Sequence, residues 1–170
     1  NSPDPLELIE KYGADGVRVG MLLSSPAGND LLFDSALCEQ GRNFTNKIWN
    51  SYRLISSWSV SEELKQENSS EVAIQWFKSK FNENLTSINE SYNKFRISEA
   101  LMSTYKTVWD DFCSWYLEMI KPAYGHPIDK KTYAETIGIF DQIVKLVYPV
   151  TPCIREEIWQ LLEISEPSLC

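Results

Sequence analysis

Apolar side chains recur at helical intervals through most of this chain. Leu37, Phe44, Ile48 and Ile55 stand seven, four and seven residues apart, which predicts a buried stripe on a long helix starting at Asp34. Phe77, Phe81, Leu85, Ile88 and Tyr92 predict a second long helix, capped by Ser70. Leu101, Tyr105, Val108, Phe112 and Met119 predict a third, from about Ser98 to Pro122. Tyr133, Ile137, Phe140, Val144 and Val147 predict a fourth, opened by Asp129 and closed by Pro149. Ahead of these, Asp4 and Pro5 read as cap and first residue of a short helix that stops at Gly13. Asp15 then caps another short helix carrying Val17, Val19, Met21 and Leu22. At the far end, Thr151 and Pro152 begin a last helix through Trp159 and Leu162. Between the periodic stretches, 24–30 and 61–70 read as connections, Lys94-Phe95-Arg96 as an interruption, and Tyr124-Gly125-His126-Pro127 as a turn. The predicted fold is all-α, an antiparallel helical bundle preceded by a short helical segment.

Composition narrows the picture without changing it. In 170 residues there are only 7 Gly and 8 Pro, few breakers for a chain of this length, which favours long helices over many strands. With 43% hydrophobic residues, including 6 Trp, 8 Tyr and 7 Phe, the chain can build a substantial core, so disorder is excluded. The four cysteines are scattered with no Cys-x-x-Cys pair, and the single histidine, His126, sits in a turn; zinc-ligand spacing is absent. The first three cysteines are expected to be reduced and partly buried. No apolar run reaches the roughly 18 residues of a membrane span, and the start has neither a basic nor an apolar leader region. Beginning at Asn1 rather than Met, the chain reads as a piece of a longer protein.

Catalytic signatures are missing. There is no Gly-rich phosphate loop, no His-Glu-x-x-His and no nucleophile elbow. Asp110 and Asp111 are adjacent, so on a helix they point about 100° apart and cannot share a proton. The expectation is that this chain alone is not a catalyst.

The informative stretch is the helix from Asp34. Opposite its apolar stripe lie Asn43, Asn46, Lys47, Asn50 and Arg53, with Arg42 at the edge of the arc and Leu54 within it. No Asp or Glu occurs between Gln40 and Ser61, although the net charge of the chain is −8. Asn is a mediocre helix former, and placing three on one face forgoes about a few tenths of a kcal/mol each. A merely solvated face would carry Glu, Lys and Gln. Amides and cations in one row suit phosphates and base edges, though the same row could dock on a protein surface. A second cluster, Trp109 to Tyr116, packs four aromatics into eight residues. They cannot all face one stripe, so Trp115 and Tyr116 are expected on the flank, where an unpaired base could stack. Asp110 could accept from base amino groups.

Asn1-Ser2-Pro3-Asp4-Pro5-Leu6 resembles the segment that follows the KMSKS loop of valyl-tRNA synthetases, class I enzymes. Gly13-Ala14-Asp15-Gly16-Val17-Arg18 is similar to the Gly-Ala-Asp-Ala-Leu-Arg element of several class I synthetases. Gly28-Asn29-Asp30, the string Gly41 to Asn50, Phe112-Cys113-Ser114-Trp115-Tyr116-Leu117-Glu118 and Glu156-Glu157-Ile158-Trp159 resemble the valine enzymes in particular. Gly16-Val17, Tyr148 and Arg155 depart from the usual Ala-Leu, His and Thr. The resemblance implies that 1–33 is a stem-contact segment and 34–170 an anticodon-binding helical bundle. It implies a parent valine–tRNA ligase in the cytoplasm that uses ATP and Mg²⁺ in a catalytic core outside this chain. The implied partners are that core and the anticodon stem-loop of tRNA(Val), with no membrane, DNA or metal. No cofactor is expected in this fragment itself. Arg42, Asn43, Asn46, Lys47, Asn50, Arg53 and Leu54, with Asp110, Phe112, Trp115 and Tyr116, would hold the anticodon loop. Arg18 would brace the junction to the core or touch the tRNA stem. The isoleucine, leucine and methionine enzymes share such a bundle, and a protein-interaction bundle without RNA remains the other class.

Overall fold

The computed structural model describes residues 3–25 and 33–165, the side chains of 162–165 apart. Along them run α1 (Pro5–Tyr12), α2 (Ala14–Leu23), α3 (Ser35–Ser56), β1 (Val60–Ser61) and α4 (Asn68–Asn93). α5 (Ile97–Lys106) continues without a break into a π-helical segment (Thr107–Tyr116) and α6 (Leu117–Ile120). β2 (Ile128–Asp129), α7 (Lys130–Val147) and α8 (Pro152–Ser165) complete the order. The architecture is the all-α bundle read from periodicity. The one addition is a two-residue parallel pairing, Val60 with Ile128 and Ser61 with Asp129, too short to leave a periodic signal. The expected connection 24–30 lies mostly outside the described residues, as does Cys170.

The stripes on the long helices meet in one core. Phe44, Ile48 and Ile55 of α3, Phe77 and Ile88 of α4, Phe112 and Tyr116 of the π segment, and Phe140 and Ile143 of α7 are all essentially inaccessible. Rings interlock at its centre: Phe77 lies 5.6 Å from Phe112 and 5.0 Å from Tyr116, and Phe112 lies 5.9 Å from Phe140.

α2 crosses α3 backbone to backbone. A Cβ on Gly20 would stand 2.6 Å from the Cys38 nitrogen, and one on Gly41 would run into the Gly16 carbonyl, so this crossing admits only glycine. That fixes α3 against the N-terminal pair of helices and leaves its other side to solvent.

Helix ends follow the expected caps at Asp4 and Asp129, whose carboxylates accept from Leu6 N at 2.9 Å and Thr132 N at 2.8 Å. Asp15 is a correction. It lies inside the first turn of α2, buried, and its carboxylate reaches across to the N-terminus of α8, accepting from Ile154 N at 2.8 Å and Cys153 N at 3.3 Å. It caps a helix 139 residues away rather than its own. α4 begins at Asn68, ahead of the expected Ser70 cap. The Lys94-Phe95-Arg96 interruption is a closed turn: Phe95 N donates to Tyr92 O and Arg96 N to Ser91 O, both at 2.9 Å, with Phe95 at φ 57° where glycine is usual. Met119, expected in the third stripe, is 46% exposed, because the wide π turns shift the register ahead of it. Cys38 and Cys113 are buried as expected, whereas Cys153 is exposed.

Candidate nucleic-acid interface

α3 starts where the Asp34 carboxylate accepts from Ala36 N at 2.9 Å. Its inward face carries Cys38, Gly41, Phe44, Ile48, Ser51 and Ile55, all buried. The remaining arc is open. Arg42, Asn43, Asn46, Asn50 and Arg53 are exposed, Leu54 is 37% exposed, and Lys47 is half-buried. Among the described residues, the side chains of Asn43, Asn46, Asn50 and Arg53 make no hydrogen bond or ion pair. Arg42 donates from Nη1 to Lys11 O at 3.3 Å, which ties one guanidinium edge to the end of α1. Lys47 lies with its ammonium over the Trp109 ring, 5.4 Å from the centroid. Most of the amide and guanidinium row therefore has its hydrogen-bonding capacity still to spend, on a stretch without carboxylates from Gly41 onward, with Glu39 one turn before it.

The aromatic cluster is divided. Phe112 and Tyr116 are fully buried, which corrects the expectation that Tyr116 stands on the flank and removes both from direct contact with any ligand. The Tyr116 hydroxyl lies 2.9 Å from Thr136 Oγ1, and burial pushes its pKa up to about 12. In the same π-helical segment Ser114 Oγ donates to the carbonyl of Trp109, five residues back, at 2.9 Å. Phe112 and Tyr116, four residues apart, face inward together with Cys113 and Leu117.

Trp115 is 63% exposed, in line with its expected place on the flank. Yet it follows Thr107 and Asp111 at intervals of four, on the side that faces α4. There Asn84 donates to Thr107 Oγ1 at 2.9 Å and to Asp111 Oδ2 at 2.8 Å. Trp109 and Cys113 mark the side that faces α3, Cys113 with its Sγ 3.1 Å from Ser51 Oγ. Burial raises the Cys113 thiol pKa, partly offset by the Ser51 bond and by Lys47. Asp110 is exposed beside Trp109. The structure thus brings Trp109 to the α3 row through Lys47, while Trp115 shares the four-residue spacing of the residues that meet α4. An α-helical wheel already sets the two about 120° apart; which of them meets α3 is set by the packing of the helices.

Arg18 is half exposed on α2, paired with Asp15 at 3.3 Å and touching Cys153 Sγ at 3.7 Å. It supports the contact between α2 and the start of α8. Near the start of α8 the Arg155 guanidinium carbon lies 4.8 Å from the Tyr148 ring and 4.9 Å from the Trp159 ring.

Elsewhere the surface offers clefts of about 250 Å³ beside Met119 and Pro127 and about 320 Å³ beside Lys78 and Gly138, neither of which includes an α3 residue. Among the described residues no three His, Cys, Asp or Glu side chains converge as metal ligands, and no helix is long and apolar enough to cross a membrane.

A family model described as "Anticodon-binding domain of tRNA ligase" matches residues 74–169. A valine–tRNA ligase of Christiangramia forsetii is 58% identical over 166 residues, 98% of this chain and 19% of that protein. One of Phocaeicola vulgatus is 59% identical over 160 residues, 94% of this chain and 18% of that protein. One of Symbiobacterium thermophilum is 33% identical over 176 residues, again covering 19% of that protein. The chain spans about a fifth of the length of these relatives.

Proposed function

The chain belongs to the anticodon-binding domain family of tRNA ligases, and we propose that it grips the anticodon stem-loop of tRNA(Val) as one part of a valine–tRNA ligase. The observation that carries this is the outer arc of α3 from Arg42 to Leu54: amides and cations with no carboxylate among them, exposed and largely unpartnered, on a chain of net charge −8. A row of this kind loses little existing bonding when it engages RNA.

In this reading Arg42, Lys47 and Arg53 neutralise backbone phosphates, and Asn43, Asn46 and Asn50 bond the edges of unstacked anticodon bases. Leu54, partly exposed at the end of the row, covers a base face, and Asp110 accepts from a base amino group. Arg18, held by Asp15, stiffens the α2–α8 contact and so sets the angle between bundle and parent. ATP and Mg²⁺ act in the catalytic body of the parent, in the cytoplasm; no residue of this chain is assigned to them, and the aminoacylation chemistry lies outside it.

The test is affinity for a valine-anticodon stem-loop, comparing wild type with Lys47→Ala and Asn50→Ala. Each substitution is expected to weaken binding by about fivefold, as the loss of about 1 kcal/mol implies. With three phosphate contacts, log K should fall against log salt with a slope of about −2 to −3. Equal binding by all three proteins removes this face from the site. Preference for an isoleucine or methionine anticodon would reassign the parent enzyme.

A further inference from the structure

A splayed base needs a flat apolar surface as well as hydrogen-bonding groups. Leu54 offers a small one, Phe112 and Tyr116 are sealed in the core, and Trp115 lies on the α4 side. Beside the α3 row stands a column of rings. Phe44, fully buried, forms its foot; Tyr105 stacks on Phe44 at 4.9 Å and 25°; Trp109 stacks on Tyr105 at 5.4 Å and 7°. Tyr105 is stacked on the indole, and the ammonium of Lys47 lies over the same ring, 5.4 Å from its centroid. The platform is rigid, because each ring is held by the one beneath it down to a buried phenylalanine.

We propose that Trp109 is the stacking platform for an anticodon-loop base and that Lys47 is its exchangeable cover. An RNA phosphate draws the ammonium off the ring, and the base takes its place. The exchange is favourable in both halves. A cation over a partly wet ring is weakly held, while an ammonium on phosphate forms a charge-assisted hydrogen bond. The bared indole then recovers a stacked neighbour. No residue moves except the flexible Lys47 side chain, since the column is already in place in the free protein. The inference rests on the reading that the α3 row grips the loop, and it adds the surface that the row itself lacks.

The experiment uses the intact ligase and tRNA carrying 2-aminopurine at each anticodon-loop position in turn. One position is expected to be quenched on binding. Trp109→Leu should abolish the quench and weaken binding by about tenfold, within the range of a lost base–aromatic stack. Trp109→Phe, a milder change to the fold, should retain part of the quench. Lys47→Met should keep the quench, because the ring is uncovered, while the salt slope falls by about 0.7–0.9. Absence of any quench in the wild-type complex, or a quench unchanged in both Trp109 variants, overturns the proposal. If Lys47 and Asn50 variants lose affinity while those at Trp109 do not, only the stacking role fails. If none of them responds, the α3 reading has failed first.

Discussion

α3 and the π-helical segment Thr107–Tyr116 lie against each other, and each gathers residues suited to RNA, yet they present them in opposite ways. α3 keeps a regular helical period, so its buried stripe and its wet row are clean opposites: Phe44, Ile48 and Ile55 on one side, Asn46, Asn50 and Arg53 on the other. The π segment breaks the period and spends its aromatics inward. Phe112 and Tyr116 go to the core, Trp109 goes to the α3 seam, and only Trp115 is left mostly exposed. The lesson is that a cluster in sequence is one cluster in space only while the helical repeat holds. Here one element supplies the grip and the other supplies the foundation beneath it.

The hardest way to break that division is to test whether the π segment is foundation. Phe112 touches Phe77, Tyr116 and Phe140 at ring separations between 5.6 and 5.9 Å. Phe112→Ala should therefore cost about 3–5 kcal/mol, read as a lowered urea midpoint with an unchanged slope. A cost below about 1 kcal/mol would mean the segment is not core. Tyr116 gives a sharper reading of the same point. Its folded pKa of about 12 lies above the ordinary value near 10, so the neutral phenol is the form the fold prefers. Stability from this group is complete below pH 10 and is lost as the pH rises toward 12. The loss is up to about 2–3 kcal/mol for a shift of that size. Tyr116→Phe should flatten that alkaline limb relative to wild type, at a cost of about 1 kcal/mol at neutral pH for the lost Thr136 bond. An unaltered limb would mean that Tyr116 is wet.

The difference also marks how far the amino-acid pattern could be read. The bundle, the caps at Asp4 and Asp129, and the two faces of α3 all follow from side chains within a few positions of one another. Such information is local and survives in the sequence. The α8 cap by Asp15 does not, because it joins residues 139 positions apart. The two-residue strands leave no period to detect. Met119 leaves its expected stripe for a third reason: the spacing that puts Leu101 and Tyr105 on one stripe is carried by α-turns, and the π turns change it from Thr107 onward. Tyr116, four residues after the buried Phe112, shares its side, which the spacing itself indicates. The pairing of Lys47 with Trp109 lies between these cases. Both residues are conspicuous, but only the packed angle of two helices brings an ammonium over that ring.

The smallest expected effect belongs to Trp115, and it sharpens the comparison because exposure alone would make this residue the first choice for stacking. It is the more accessible of the two tryptophans, at 63%, and it bears no load in the core. Its neighbours at four-residue intervals, Thr107 and Asp111, are bound to Asn84 of α4 rather than to any residue of α3. If Asn46 or Asn50 holds a base as proposed, Trp109 is the tryptophan tied to that row, through Lys47. Trp115→Ser should then change both folding stability and affinity for the valine-anticodon stem-loop by no more than about 0.5 kcal/mol, the usual range for a surface substitution. On affinity that is a little over twofold, against the roughly tenfold loss expected at Trp109. Side-by-side titrations of the two variants settle which flank meets the loop. A larger loss at Trp115 than at Trp109 would move the interface to the α4 side and leave the α3 row to contact the stem backbone alone.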